Sequence, residues 1–417
     1  MSGIANFFTL FWIIYFPTCI AYNDLPGFNY VDEVMTGVMV LFTVSRYKHW
    51  STNMEPWREF AVFAGILACF TIWGLTYGRN PGGVWYDFIQ ELRPYSIIYC
   101  TWILNPQFSQ RQKHLMLGAM IVTLFSWIYY HPETTLFLET GVQEEFPVLG
   151  QMAICTGMAW YLFNEDTQKN RVLALAFVCV GLIAPKFKFM GEVVAFVALL
   201  FFIRKKLEFK SMRSIILVVA LVAVVIYVTW ERFDAYYIEG MMASGDDRMA
   251  RPETYKTALR ILWDYFPMGS GMGSFACNAA WKVYSPLYYE YHLSDVWGLS
   301  KDFGYFICDA YYPTLAQFGV VGLFFFCWYW KRRLVAFNEI NEMKYYRVAM
   351  MAFFCLAMEQ IADSSWLSGK GMGYCMLIGL CLNANLNAEE DEEDDEESAD
   401  AEEITADDSL LPVEAEA

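Results

Sequence analysis

The sequence predicts an all-α integral membrane protein of about twelve transmembrane helices, with one large extracytoplasmic loop that contains short helices. Three observations predict it. Hydrophobic residues make up 57% of the 417 and aromatic residues 18%, which excludes both a disordered chain and an ordinary soluble globule. Apolar runs recur at close to the roughly 20 residues a helix needs to cross a bilayer. Lysine and arginine collect in alternate connections between those runs, as cytoplasmic loops do.

Taken in order, the expected spans are 4–21, 31–44, 60–77, 84–104, 114–130, 148–163, 171–184, 191–203 and 215–229, then 313–330, 347–361 and 371–383. The even-numbered connections hold Arg46, Lys48 and Arg58; Arg111 and Lys113; Lys169 and Arg171; Arg204, Lys205, Lys206, Lys210 and Arg213; and Lys331, Arg332, Arg333, Lys344 and Arg347. These are seventeen of the 29 basic residues. The other connections are poor in them or acidic, as at Glu133, Glu139, Glu144 and Glu145. The chain thus divides into helices 1–9 over 1–229, an extracytoplasmic (periplasmic) segment over 230–312, helices 10–12 over 313–385 and an acidic tail over 386–417. Both termini are expected in the cytoplasm. Met1 to Leu10 has no basic start and no small-residue cleavage site follows, so the first span is expected to be retained.

The net charge of −17 comes from the tail, since Glu389 to Ala417 contains 16 acidic residues and no basic one, leaving 30 acids against 29 Lys plus Arg elsewhere. Such a run is expected to be disordered. Nothing resembles the basic stripe that nucleic-acid binding needs, so no nucleic-acid partner is expected. Nine of eleven cysteines lie in apolar runs, and only Cys277 and Cys308 fall on the long loop, where a disulfide and two free thiols are both open. No metal-ligand spacing occurs and no cofactor is expected.

The long polar segment is where chemistry is expected, because compact proteins seldom keep a connection of that length without a use. Arg248 and Arg251 precede a predicted amphipathic helix, in which Tyr255, Leu259, Leu262 and Phe266 share helical spacing. Arginine forks and a helix N-terminus both suit phosphate oxygens, although Asp246 and Asp247 next door offer the arginines ordinary partners. Gly269-Ser-Gly271-Met-Gly273 follows a proline-ended helix and not a strand, so it is read as tight bending near a ligand or membrane and not as a dinucleotide fingerprint. Glu91 and Arg93 sit inside an expected span, and Lys186, Lys188 and Glu192 at an outer junction, where ionisable groups are functional candidates or structural ion pairs. Asp309 is the leading candidate base, at the loop's end beside Tyr311 and Tyr312. Trp263 and Tyr311 are candidates for stacking on sugar rings.

Arg248, Arg251, Ala258-Leu-Arg-Ile-Leu-Trp263, Pro267-Met-Gly-Ser-Gly271-Met-Gly-Ser-Phe275 and the run from Asp309 to Gly322 together resemble the O-antigen polymerase and O-antigen ligase superfamily. The motif likeness covers about 248–322 and the topology 1–385. One departure matters: where family ligases have His-Asn before the Gly-x-x-Gly, this chain has Cys308-Asp309, which favours a polymerase over a ligase. The resemblance implies a metal-independent glycosyltransferase of the bacterial inner membrane. It implies a donor that is an undecaprenyl-diphosphate-linked oligosaccharide, membrane lipid around it, and in such systems a chain-length regulator as partner. It also implies that Asp309 acts as base and that Arg248 and Arg251, with Lys186 or Lys188, hold the diphosphate; Arg93, an ionisable group at membrane depth, is a further candidate for holding it. The competing class is a transporter or flippase of the same lipid-linked sugar, which twelve spans suit equally.

Overall fold

The computed structural model describes residues 2–24, 30–46, 54–130, 146–184, 186–207 and 211–387. The expected disordered tail from residue 388 onward, and the acidic connection with Glu133, Glu139, Glu144 and Glu145, lie outside the described residues. Every regular element among those described is helical. The principal helices are α1 (Ser2–Asp24), α2 (Val31–Ser45), α3 (Met54–Thr76), α4 (Val84–Leu104), α5 (Gln110–Tyr130), α6 (Phe146–Phe163), α7 (Gln168–Val180), α8 (Phe187–Val197) and α9 (Met212–Val228). After the polar segment and its amphipathic helix α10 (Ala250–Asp264) come α11 (Gly319–Glu339), α12 (Met343–Ala362) and α13 (Met372–Leu382).

Each expected span falls on one of these helices, but the count of twelve crossings is not shown. By length and apolarity α3 and the stretch Tyr312–Glu339 are each able to cross a membrane, and a third crossing is reached only if α9 and Trp230–Met242, bent by 82°, are taken as one. The physical reason is visible in the others. α4 carries Asp87, Glu91 and Arg93. α7, α8 and α13 have 13, 11 and 11 residues, well short of the roughly 20 needed.

α4 occupies the middle of the bundle, packed against α2, α3 and α13. From Arg93 to Leu104 every side chain is buried, so this half of the helix is covered by its neighbours on all sides. The helices near the site end in irregular turns. α8 is preceded by a 3-10 turn at Gly181–Ile183 and followed by a π-turn at Ala198–Phe202, and α12 gives way at Asp363 to two 3-10 turns before α13.

The polar segment is folded, with a core of its own in which Ile261, Phe275, Tyr288, Leu293 and Leu299 are fully buried. The glycine turn fastens it to the bundle. Gly269, Gly271 and Gly273 have φ of 77°, 95° and 79°, a region that favours glycine. A Cβ on Gly271 would stand 2.5 Å from Gly78 Cα, and one on Gly273 2.6 Å from the Gly83 carbonyl carbon. The tight bending expected there therefore serves backbone-to-backbone packing against the α3–α4 turn and the start of α11. Asn80 Nδ2 donates to the carbonyls of Gly273 (2.7 Å) and Val283 (2.8 Å), and buried Asp87 and Gln317 both accept from the Gly273 amide.

Candidate active site

Charged side chains from five parts of the chain converge beside α10. Arg251 stands in the first turn of α10, Asp309 ends the polar segment, Asp363 caps α12, and Lys186 and Lys188 open α8. Lys370, from the turn before α13, completes the group. Arg251 Nε donates to Asp309 Oδ2 at 2.8 Å, and its Nη2 lies 2.7 Å from the same oxygen. Both donors thus use one carboxylate oxygen, and no hydrogen bond from a described residue occupies Oδ1. The guanidinium also lies over the Tyr236 ring, 4.7 Å from its centroid, which fixes its plane. Lys188 Nζ binds Asp363 Oδ2 at 2.6 Å, with Lys370 Nζ at 3.7 Å.

The charge balance is positive. Arg251, Lys186, Lys188 and Lys370 face Asp309 and Asp363, and among the described residues Lys186 has no ion-pair partner. Burial pushes the Asp309 carboxyl above its ordinary range, and the neighbouring Arg251 offsets only part of that rise. Asp363 differs: burial pushes it up too, but Lys188 and then Lys370 outweigh burial and hold it below the usual carboxylate range. Burial, then repulsion from Lys188 and Arg251, pulls Lys186 below the ordinary lysine range. The two carboxyls are thus shifted in opposite directions by their surroundings, a separation also found where acid–base chemistry is run.

The structure unites four of the sequence candidates, Arg251, Asp309, Lys186 and Lys188, and places four elsewhere. Arg248 turns to the carbonyls of Gly245 (3.1 Å) and His292 (3.2 Å). Arg93 is buried in an ion cluster with Asp32 and Glu33 and donates to the Leu367 carbonyl, so its charge is already balanced and it is not a free diphosphate ligand. Tyr311 is 1% exposed, and its hydroxyl donates to Glu91 Oε2 at 3.0 Å. Packing leaves that ring no free face, so the expectation of sugar stacking at Tyr311 is corrected. Trp263 is 82% exposed and retains both faces. Cys277 and Cys308 are free thiols.

Sequence reasoning missed Asp363, Lys370 and Tyr236. The first two had a signal: Asp363 interrupts the apolar pattern at the end of α12, and Lys370 stands in Ser368-Gly369-Lys370-Gly371, a turn between two apolar stretches. No protein-family model matches this chain, and no curated protein matches it.

Proposed function

We propose that the protein is a membrane glycosyltransferase that moves a glycan from a lipid-diphosphate donor to a sugar hydroxyl, as an O-antigen-type polymerase does. The observation that carries this reading is the half-buried excess of cations around a carboxylate with one oxygen unclaimed. Arg251, Lys186, Lys188 and Lys370 are suited to the leaving diphosphate, supplying opposite charge where negative charge develops. Asp309 Oδ1 takes the acceptor's hydroxyl proton, and the hydroxyl oxygen bonds to the anomeric carbon. The bond from that carbon to the diphosphate breaks, and its electron pair leaves on phosphate oxygen facing the cations. Arg251 keeps Oδ2 occupied, which aims Oδ1 at the acceptor.

In this reading the twelve helices of the bundle all lie in the bacterial inner membrane, both termini are cytoplasmic, and 230–312 faces the periplasm. The short α8, flanked by irregular turns, and the two 3-10 turns between α12 and α13 support a second reading, because carriers build substrate sites from discontinuous helices. One experiment separates them. Purified protein in nanodiscs, given the lipid-diphosphate-linked repeat unit of its own strain, makes a ladder of longer lipid-linked glycans that Asp309→Asn does not make. Absence of the ladder with movement of the same lipid across liposomes sinks the transferase reading in favour of the carrier.

A further inference from the structure

Directly beneath the charged site, α8 and α12 present two carboxyl groups that the proposed reaction does not use. Glu192 and Glu359 are both 0% exposed. Glu192 faces Glu359 across the contact between their helices, and neither of its carboxyl oxygens has a hydrogen-bond partner. Glu359 Oε2 accepts from Gln151 Nε2 at 2.5 Å, while its Oε1 is also unpartnered. Gln151 reaches Ser365 Oγ at the same 2.5 Å, tying the pair to the turn that carries Asp363 and Lys370.

The titratable groups around the pair come from each neighbouring element. They are Lys188 on α8, Cys355 and Asp363 with α12, Lys370 and Tyr374 before and on α13, and Cys155 on α6. Lys188 is already bound to Asp363. Two adjacent anions with empty lone pairs and no cation of their own are too costly in a dry interior, so a buried pair of this kind holds a proton. With one proton on the pair, its remaining charge and that of Asp363 balance Lys188 and Lys370. The buried cluster is then neutral while the outer site is empty.

An anion settling on those two lysines removes that balance. We propose that Glu192 and Glu359 are a proton-binding pair coupled to the anion site, holding one proton when the site is empty and taking up a second from solvent when a diphosphate binds. The coupling rests on the diphosphate reading above, whereas the first proton does not. No bond other than that to the incoming proton forms or breaks, and release of the anion returns the proton.

The test uses the full chain in nanodiscs, with the double variant Glu192→Gln/Glu359→Gln. Infrared spectroscopy of the empty protein at neutral pH should show the C=O stretch of protonated carboxyl, shifted by deuterium, with a component that the double variant loses. An unchanged band in that variant, or no band at all, overturns the proposal whatever the outer site binds. Titration calorimetry with inorganic pyrophosphate, in two buffers of different ionisation enthalpy, then reads the coupling. Wild-type protein should take up close to one more proton per pyrophosphate than the double variant does. Equal uptake overturns the coupling alone. Failure of pyrophosphate to bind wild-type protein overturns the anion site, and the coupling with it, while leaving the infrared result to stand separately.

Discussion

In the proposed transfer, Asp309 and Arg251 are the pair on which the chemistry turns. Asp309→Asn keeps the shape of the side chain and removes the base, and a positioned general base is worth about 10²–10⁴-fold in rate. A loss of that order in glycan transfer, at unchanged protein level, is the expected result. Because burial raises Asp309 against the pull of Arg251, the deprotonated base is lost as pH falls through a value above the usual carboxylate range. The rate should therefore decline on the acid side earlier than for an ordinary aspartate. In Arg251→Ala the offsetting charge is gone, so the acid limb should move to still higher pH, and Arg251→Lys should restore it in part. A limb that stays in place would mean that Asp309 is not the titrating group. Arg251 and Asp309 were legible in the sequence because their types and positions were unusual. Tyr311 misled because a tyrosine beside a candidate base looks the same in one dimension whether its ring faces a ligand or Glu91.

At the scale of elements, the glycine turn makes the sharpest prediction. Gly273→Ala places a Cβ against the Gly83 backbone at a positive φ, and should destabilise by about 2–4 kcal/mol from conformational strain plus overpacking. Asn80→Ala leaves the Gly273 and Val283 carbonyls without their donor, a loss of about 1–3 kcal/mol. Thermal unfolding in detergent should lower the midpoint for both, while Gly245→Ala, with open space around it, should shift it less. The spacing Gly-x-Gly-x-Gly announced bending, but what the bend packs against lies nearly 200 residues away and no local pattern carries it. Helix positions fared better, because an apolar run of helical length stays a helix wherever it packs. Whether each run crosses a bilayer was less legible, since α4 spends three charged residues on internal partners and several helices are cut short by their breaks.

For the whole molecule, the proposed orientation puts Trp263 and Trp297 on one side of the membrane and Arg46 and Arg332 on the other. Single cysteines at these positions, in a chain with its exposed native thiols removed, should react with a membrane-impermeant maleimide from the periplasm for the first pair and only after lysis for the second. Equal labelling from both sides would remove the topology on which the proposed function depends. Removing 389–417 should leave the glycan ladder unchanged, whereas a loss of product would make the acidic tail part of the working protein. The polar segment's own core suggests a module, yet its glycine turn is mortised into the α3–α4 corner and the head of α11. Swapping residues 230–312 alone between related chains should therefore yield misassembled hybrids, and exchange of acceptor preference will require Arg79 to Val84 and Gln317 to Gly322 to travel with the segment.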